Sequence, residues 1–313
     1  MAERMMLLDT ASLYFRAFYG VPESIRRSDG TSVNAVRGLL DMIARLATEF
    51  EATQLIACWD DDWRPAWRVA LIPSYKAHRV EQARAEAADI EEVPDPLTAQ
   101  IPLIRHVLGL AGVPIVGVAE HEADDVIGSY AAQATVATDV VTGDRDLFQL
   151  VDDARGIRVI STTRGMKNLE LLTEEVVLGK YGVRADQYAD FATLRGDASD
   201  GLPGVAGVGE KTAAGLLREH GSLEGILAAA ADPSASVSAG VRAKLAAASD
   251  YLAVAPTVVR VVRDLELPTP DEAGAALAPI VGEARAELER LATEWNLGTS
   301  VARLLTAFDR YGA

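Results

Sequence analysis

Met5-Met6-Leu7-Leu8-Asp9 is an unbroken apolar run closed by a carboxylate, and the reading of this stretch decides the fold. It is too short for a helix or a signal peptide, and polar residues follow at once, so it reads as a buried strand. Four more runs read the same way, at 54–60, 114–116, 139–142 and 157–160. Between the first two, 33–50 carries Val36, Leu39, Leu40, Ile43 and Leu46 at helical spacing, with Ser32 as the expected N-cap. Short apolar strands alternating with helical segments predict an α/β fold with a mainly parallel sheet.

The bulk composition sets limits on function. A chain of 313 residues is long enough for one large core with a smaller lobe. No apolar run approaches the roughly 18 residues of a membrane span, so no membrane partner is expected. Cys58 is the only cysteine, which excludes an intrachain disulfide and predicts a reducing, cytoplasmic setting. A net charge of −16 argues against non-specific nucleic-acid binding, unless part of the acid is a metal cluster and basic residues line the contact face.

Two regions depart from the alternation. Residues 61–94 carry Arg68, Lys76, Arg79 and Arg84 and then an acidic stretch, without a clear strand. That is unusually long for a connection, and it reads either as a surface loop or as a lid or clamp beside a site. After about 173 helices take over and alanine accumulates, which predicts a helical lobe, 173–313, against an α/β core, 1–172.

Several acidic residues fall where strands should end. Asp9 closes the first run, Asp60 follows Leu55-Ile56-Ala57-Cys58-Trp59, and Asp144 follows Val140-Val141-Thr142-Gly143. Ligands of open parallel sheets bind outside the carboxyl ends of the strands. Glu122 and Asp125, at i and i+3 of an expected helix, would share a face. Asp144 with Asp146, and Asp197 with Asp200, place two further pairs in turns. Any one of these is an ordinary solvated residue. Gathered, they would repel one another unless cations neutralised them. All-oxygen ligands suit Mg²⁺ or Mn²⁺ rather than zinc, and the four histidines are scattered. Two such ions about 4 Å apart would activate a water and stabilise the leaving oxygen of a phosphoester. Carboxylates alone do not separate a nuclease from a phosphatase.

Gly204-Val205-Ala206-Gly207-Val208-Gly209-Glu210-Lys211-Thr212 follows the Asp197/Asp200 pair. Its glycines let backbone N–H groups face an anion at a helix N-terminus, with Lys211 in the first turn. The spacing is not that of a Walker A loop. Alone it is equally a tight inter-helix turn; beside an acidic cluster it reads as a contact to a nucleic-acid backbone.

With these residues quoted, the chain resembles the 5′ nuclease family: flap endonucleases and the N-terminal 5′-exonuclease domain of bacterial DNA polymerase I. The matching runs are Leu8-Asp9 with Ser12 and Phe15-Arg16-Ala17, then Trp59-Asp60, Tyr75-Lys76-Ala77-His78-Arg79 and Glu122-Ala123-Asp124-Asp125-Val126. They continue with 142–149, Gly196-Asp197 and the 209–213 turn, all in the family's order. The resemblance implies a PIN-like nuclease core, a helical arch at 61–94 and a helix–hairpin–helix element at about 186–220. It further implies that Asp9, Asp60, Glu122, Asp124, Asp125, Asp144, Asp146, Asp197 and Asp200 surround two or more Mg²⁺ or Mn²⁺ ions. Lys76 and Arg79 would engage the scissile phosphate, and Tyr75 would orient the substrate end. Arg16 and Arg68 join the expected DNA contacts, as do Gly207, Gly209, Lys211 and Thr212, at a turn that in the family often holds K⁺.

The implied activity is 5′–3′ exonuclease and flap endonuclease cutting of DNA, by a monomer, with RNA–DNA hybrids among the substrates, in repair and primer removal. The chain ends at 313, so no attached polymerase is expected. Phe15 replaces a frequent tyrosine and Gly201 a common asparagine. The arch is more acidic than usual, through Glu81, Glu86, Asp89, Glu91 and Glu92. The rival readings are a catalytically weak DNA-structure-binding protein and a phosphatase acting on small phosphoesters.

Overall fold

The computed structural model describes residues 3–83 and 89–312; Arg84 and Glu86 of the arch lie outside the described residues. Its strands are β1 (Arg4–Asp9), β2 (Gln54–Cys58), β3 (Val80–Gln82), β4 (Ile90–Glu91), β5 (Ile115–Val116), β6 (Ala137–Thr142), β7 (Ile157–Ser161) and β8 (Glu170–Leu172). The first-half helices are α1 (Thr10–Gly20), α2 (Asn34–Glu49), α3 (Ala66–Leu71), α4 (Asp95–Thr98), α5 (Ile101–Leu110) and α6 (Ala123–Gln133). The second half adds α7 (Glu174–Tyr181), α8 (Tyr188–Arg195), α9 (Glu210–His220), α10 (Leu223–Ala231), α11 (Ala239–Ala247), α12 (Ser249–Val259), α13 (Gly282–Glu294) and α14 (Ser300–Asp309). Among the described residues, no helix is long and apolar enough to cross a membrane.

The main sheet runs β5-β2-β1-β6-β7-β8, parallel except for the edge strand β8, which pairs antiparallel with β7. Both faces of β1 are covered. Met6 and Leu8 enter the core shared with α1, α2 and α14, whereas Met5 and Leu7 enter the core under α6 and the later helices. This two-sided burial is why the run reads as continuously apolar instead of alternating. The five expected strands all form; β8 was not foreseen, because three residues give too little pattern to read.

α2 buries Val36, Leu39, Leu40, Ile43 and Leu46 as expected, but its N-cap is Val33, not Ser32. The Gln100 side chain arrives from 64 residues away and accepts from the amides of Ala35 and Val36 at 2.8 and 3.3 Å. Those first-turn donors are thereby satisfied without a serine cap.

The long segment before α4 is not a plain loop. It holds α3, then a small antiparallel hairpin of β3 on β4. Its base is fastened by Arg64, whose Nε donates to the Tyr75 carbonyl at 2.6 Å and whose guanidinium pairs with Asp89. The expected helical lobe divides in two. Helices α7 to α12 extend the core under α6, but α13 and α14 return to the first half. There Val301, Leu304, Leu305 and Phe308 join the apolar face of α2, an area that would otherwise meet water.

Candidate metal centre and nuclease site

Parallel pairing sets the carboxyl ends of β1, β2 and β6 side by side: Asp9 is opposite Cys58, and Leu8 is opposite both Ala57 and Val141. Asp9, Asp60 and Asp144 therefore emerge together, and with Glu122 and Asp124 they line one cleft of about 1390 Å³. Lys76, Arg79 and Arg16 stand on the same cleft's walls.

Short hydrogen bonds fix the carboxylates. Asp9 accepts from the Thr142 hydroxyl at 2.6 Å and the Ser12 amide at 3.1 Å. Thr142 in turn accepts from the Asp144 amide at 2.8 Å, and Asp144 accepts from the Asp146 amide at 2.8 Å. Asp60 accepts from the Ala123 amide at 2.8 Å, at the start of α6. Thus one chain of contacts ties the ends of β1 and β6 together, and another ties Asp60 to α6.

Among the described residues none of Asp9, Asp60, Asp124 and Asp144 forms an ion pair, although Lys76 lies near enough to pull Asp124 and Asp144 down. Burial pushes the Asp9 carboxyl up to about 7, and the Asp60 and Asp144 charges add to the rise. Burial raises Asp124 as well, reinforced by Asp144 and Asp9. Asp144 and Asp146 rise for the same first reason, with Asp197 and Asp200 contributing to both. The Asp146 Oδ1 is buried with no hydrogen-bond partner. A set of carboxylate oxygens that raise one another, with one oxygen orphaned, fits a hard divalent cation. Among the described residues no three of them already converge as a coordination shell. Like charges stand apart until a cation draws them in.

Not every expected ligand faces the cleft. Asp125 is fully buried and takes both forks of Arg68 at 2.7 Å, so it is corrected from metal ligand to ion-pair partner. Burial pushes its carboxyl up, yet the Arg68 bond overrides this and leaves it below the ordinary aspartate value. Arg68, expected on the DNA, is only 2% exposed and is corrected with it. Tyr75 is likewise buried at 3% exposure, with its hydroxyl donating to Glu122 at 2.9 and 3.0 Å, so the structure places its ring inside the arch base and off the cleft lining. Glu122 lines the cleft but is already engaged by Lys76 at 2.9 Å; burial raises it to about 7 although Lys76 and Arg68 pull it down. Asp197 pairs with Arg195 at 3.2 Å and, with Asp200, sits behind Asp144 and Asp146 rather than on the main cleft.

The glycine turn joins α8 to α9. Gly204 and Gly207 have φ of +64° and +73°, a region other residues rarely adopt. Val205 and Val208 are buried as anchors, while Gly207, Gly209 and Lys211 face solvent and Thr212 is half-buried. The Gly207 carbonyl accepts from Lys244 Nζ at 2.8 Å, so the chain itself brings a cation to the turn where K⁺ was expected. Gly201 has its own reason: at φ +69° its added Cβ would stand 2.1 Å from the Ser74 carbonyl, where the 198–201 turn meets the arch base.

Arg164 and Lys167 also line the cleft and were not foreseen. They lie in the loop after β7, at the same carboxyl end of the sheet, so the rule that found Asp9 and Asp144 could have found them.

A parallel sheet that gathers uncompensated carboxylates at its carboxyl edge, beside a basic cleft and a glycine-turn lobe, defines a nuclease of the 5′ nuclease class. Residues 4–182 match the family model described as "5'-3' exonuclease, N-terminal resolvase-like domain", and 183–279 match "5'-3' exonuclease, C-terminal SAM fold". The chain is 58% identical to a 5′-3′ exonuclease of Streptomyces coelicolor over 96% of this chain and 99% of that one. It is 46% identical to a 5′-3′ exonuclease of Mycobacterium tuberculosis, covering 99% of each. The T5 D15 protein co-crystallised with metal ions shares the fold with a TM-score of 0.64 at 18% identity, over 97% of this chain and 99% of that one. Flap endonuclease-1 of Methanococcus jannaschii does so with 0.58 at 16%, over 99% and 93%. The chain belongs to the 5′-3′ exonuclease family, and it is a nuclease.

Proposed function

We propose that this nuclease cuts DNA at 5′ ends and at 5′ flaps, with two or more divalent cations, Mg²⁺ or Mn²⁺, held by its sheet-edge carboxylates. The observation that carries the reading is the convergence of Asp9, Asp60, Asp124 and Asp144 on one cleft, none of them in an ion pair among the described residues. The relatives named 5′-3′ exonuclease support the direction of cutting. Cations bound there supply an activated water and neutralise the leaving oxygen of the phosphodiester.

The chain's own residues do the rest. Asp9, Asp60, Asp124 and Asp144 hold the cations, with Asp146, Asp197 and Asp200 completing the negative surroundings. Arg79, on the cleft wall and 40% exposed, meets the phosphate and stabilises its developing charge together with Lys76. Arg16 lies on the cleft wall, its Nε donating to Thr162 at 3.1 Å, and guides the strand toward the carboxylates. The exposed amides of Gly207 and Gly209, with Lys211 and Thr212, grip the duplex backbone and so set the distance from duplex to cut. Residues 173–259 act as the duplex-binding lobe. The substrates include RNA–DNA hybrids, since backbone contacts read no base, and the protein works as a monomer in the cytoplasm, a compartment that a single cysteine suits.

The test is cleavage of a 5′-end-labelled flap in Mg²⁺, in Mn²⁺ and in EDTA, for the wild type and Asp144→Asn. Cutting at the junction that needs the metal and is lost in the variant is the expected result. Tight binding without cutting in either metal would instead establish a DNA-structure-binding protein.

A further inference from the structure

Arg68 heads the fully buried side chains of the described residues, and it sits at the arch base rather than on a DNA-facing wall. Its guanidinium grips Asp125 with two bonds of 2.7 Å, reaches Glu122 Oε2 at 3.3 Å, donates from Nε to the Val258 carbonyl at 3.2 Å and stacks on Trp67 at 4.4 Å. Lys76 Nζ reaches the other Glu122 oxygen at 2.9 Å, and Tyr75 donates its hydroxyl to the same carboxylate. The buried Arg68 and the half-buried Lys76 thus face two buried anions, a paired group beside a carboxylate cluster that forms no ion pair among the described residues.

This balance bears on Lys76. The residue stands on the cleft wall, held in a left-handed conformation at φ +48°, with its ammonium on Glu122. To meet a phosphate in the cleft it has to leave that carboxylate. A buried carboxylate stripped of its only cation is strongly unfavourable. Glu122 is not stripped, because Arg68 remains 3.3 Å away. Arg68 is itself held from the other side by Asp125, which also accepts from the Val262 amide at 2.9 Å.

We propose that Arg68 is a positioning residue for the cleavage reaction: it keeps Glu122 neutralised, so that Lys76 can pass from Glu122 to the scissile phosphate. Through Asp125, Val258 and Val262 it also fixes the arch base to the segment around α12, on the side of the duplex-binding lobe. The inference rests on the nuclease reading above. Arginine suits the post because its planar fork serves both carboxylates at once, which a lysine ammonium does less well.

The test uses the full chain with Arg68→Lys and Arg68→Gln. Flap affinity is measured by fluorescence anisotropy in Ca²⁺, and the single-turnover cleavage rate at saturating enzyme in Mg²⁺. Both are taken at a temperature where circular dichroism shows each variant folded. Arg68→Gln is expected to lose roughly 100-fold in rate, with Kd within about threefold of wild type. Arg68→Lys, keeping the charge but losing the fork, is expected to recover to within about tenfold of wild type. If Arg68→Gln does not fold, a slowed Arg68→Lys with unchanged Kd carries the same meaning. Unchanged rates in the folded variants would overturn the proposal and leave Arg68 a purely structural ion pair. A raised Kd at unchanged rate would overturn it in favour of a DNA contact. A wild type that binds but never cuts removes the nuclease reading, and the proposal with it; a wild type that cuts isolates the fate of Arg68.

Discussion

Asp124 and Asp125 are neighbours in the chain, yet they belong to regions of opposite character. Asp124 opens into the cleft with Asp9, Asp60 and Asp144, and burial and repulsion raise the carboxyls of Asp124, Asp9 and Asp144. Asp125 lies in the arch base, where Arg68 and Lys76 offset it and Glu122. The balanced group stabilises the fold, because breaking one partner would leave a buried charge unpaired. The unbalanced group strains the fold until cations arrive, and that unsatisfied charge is the site's capacity for chemistry. In the arch base the paired charge holds Arg68 and Lys76 in place, whereas in the cleft the carboxylates are left open.

The contrast breaks first if the two groups respond alike. Asp144→Asn is expected to lower flap cleavage by roughly 10³-fold or more, several kcal/mol of transition-state stabilisation. Its thermal midpoint in EDTA should stay level or rise, because one repelling charge is gone. A variant that cuts normally would place the site elsewhere. Asp125→Ala should do the reverse, costing about 3 kcal/mol in urea unfolding because Arg68 is left buried without its main partner. A loss below about 0.5 kcal/mol, the ordinary surface range, would mean that the pair is not structural.

Titration sharpens the same contrast. The Asp9 carboxyl, in the unpaired group, is raised to about 7 from its ordinary value of 3.8. Raised folded-state values contribute stability that is fully present below the ordinary values and lost as pH rises through about 7. In EDTA, unfolding free energy should fall by about 1 kcal/mol between pH 6 and pH 8 on account of Asp9. Saturating Mg²⁺ should flatten that fall, because the cation replaces the proton. An identical slope with and without Mg²⁺ would show that the raised Asp9 carboxyl does not hold the metal. The smallest effect lies outside both regions. Lys211→Ala should weaken duplex binding about equally for all sequences and lower the salt slope by about 1, read from anisotropy across salt concentrations.

Much of this was legible in the chain. Asp9, Asp60 and Asp144 were readable because each closes an apolar run, and a parallel sheet sends all such ends to one side. The glycines gave the turn, because Gly204 and Gly207 take a left-handed backbone that other residues rarely adopt. The arch was less legible: its hairpin is formed by strands of three and two residues, below the length at which periodicity speaks. Arg68 and Tyr75 were misread as DNA contacts because a cation and an aromatic near an expected phosphate site look alike whether they point outward or inward.

The sequence by itself determined the parallel strands of the sheet, the edge at which carboxylates collect, the helix α2 and the glycine turn, since these follow from local pattern and strand polarity. The tertiary structure alone decided which carboxylates remain without a counter-charge. Successive residues on a helix point about 100° apart. Glu122 and Asp125 do share a side, as their spacing implies, but that side meets Arg68, delivered from 57 residues earlier by the fold of the arch. Asp124 turns away from that guanidinium toward the cleft. Charge pairing is a long-range property, set by which distant cation the folded chain brings near, and no local pattern encodes it.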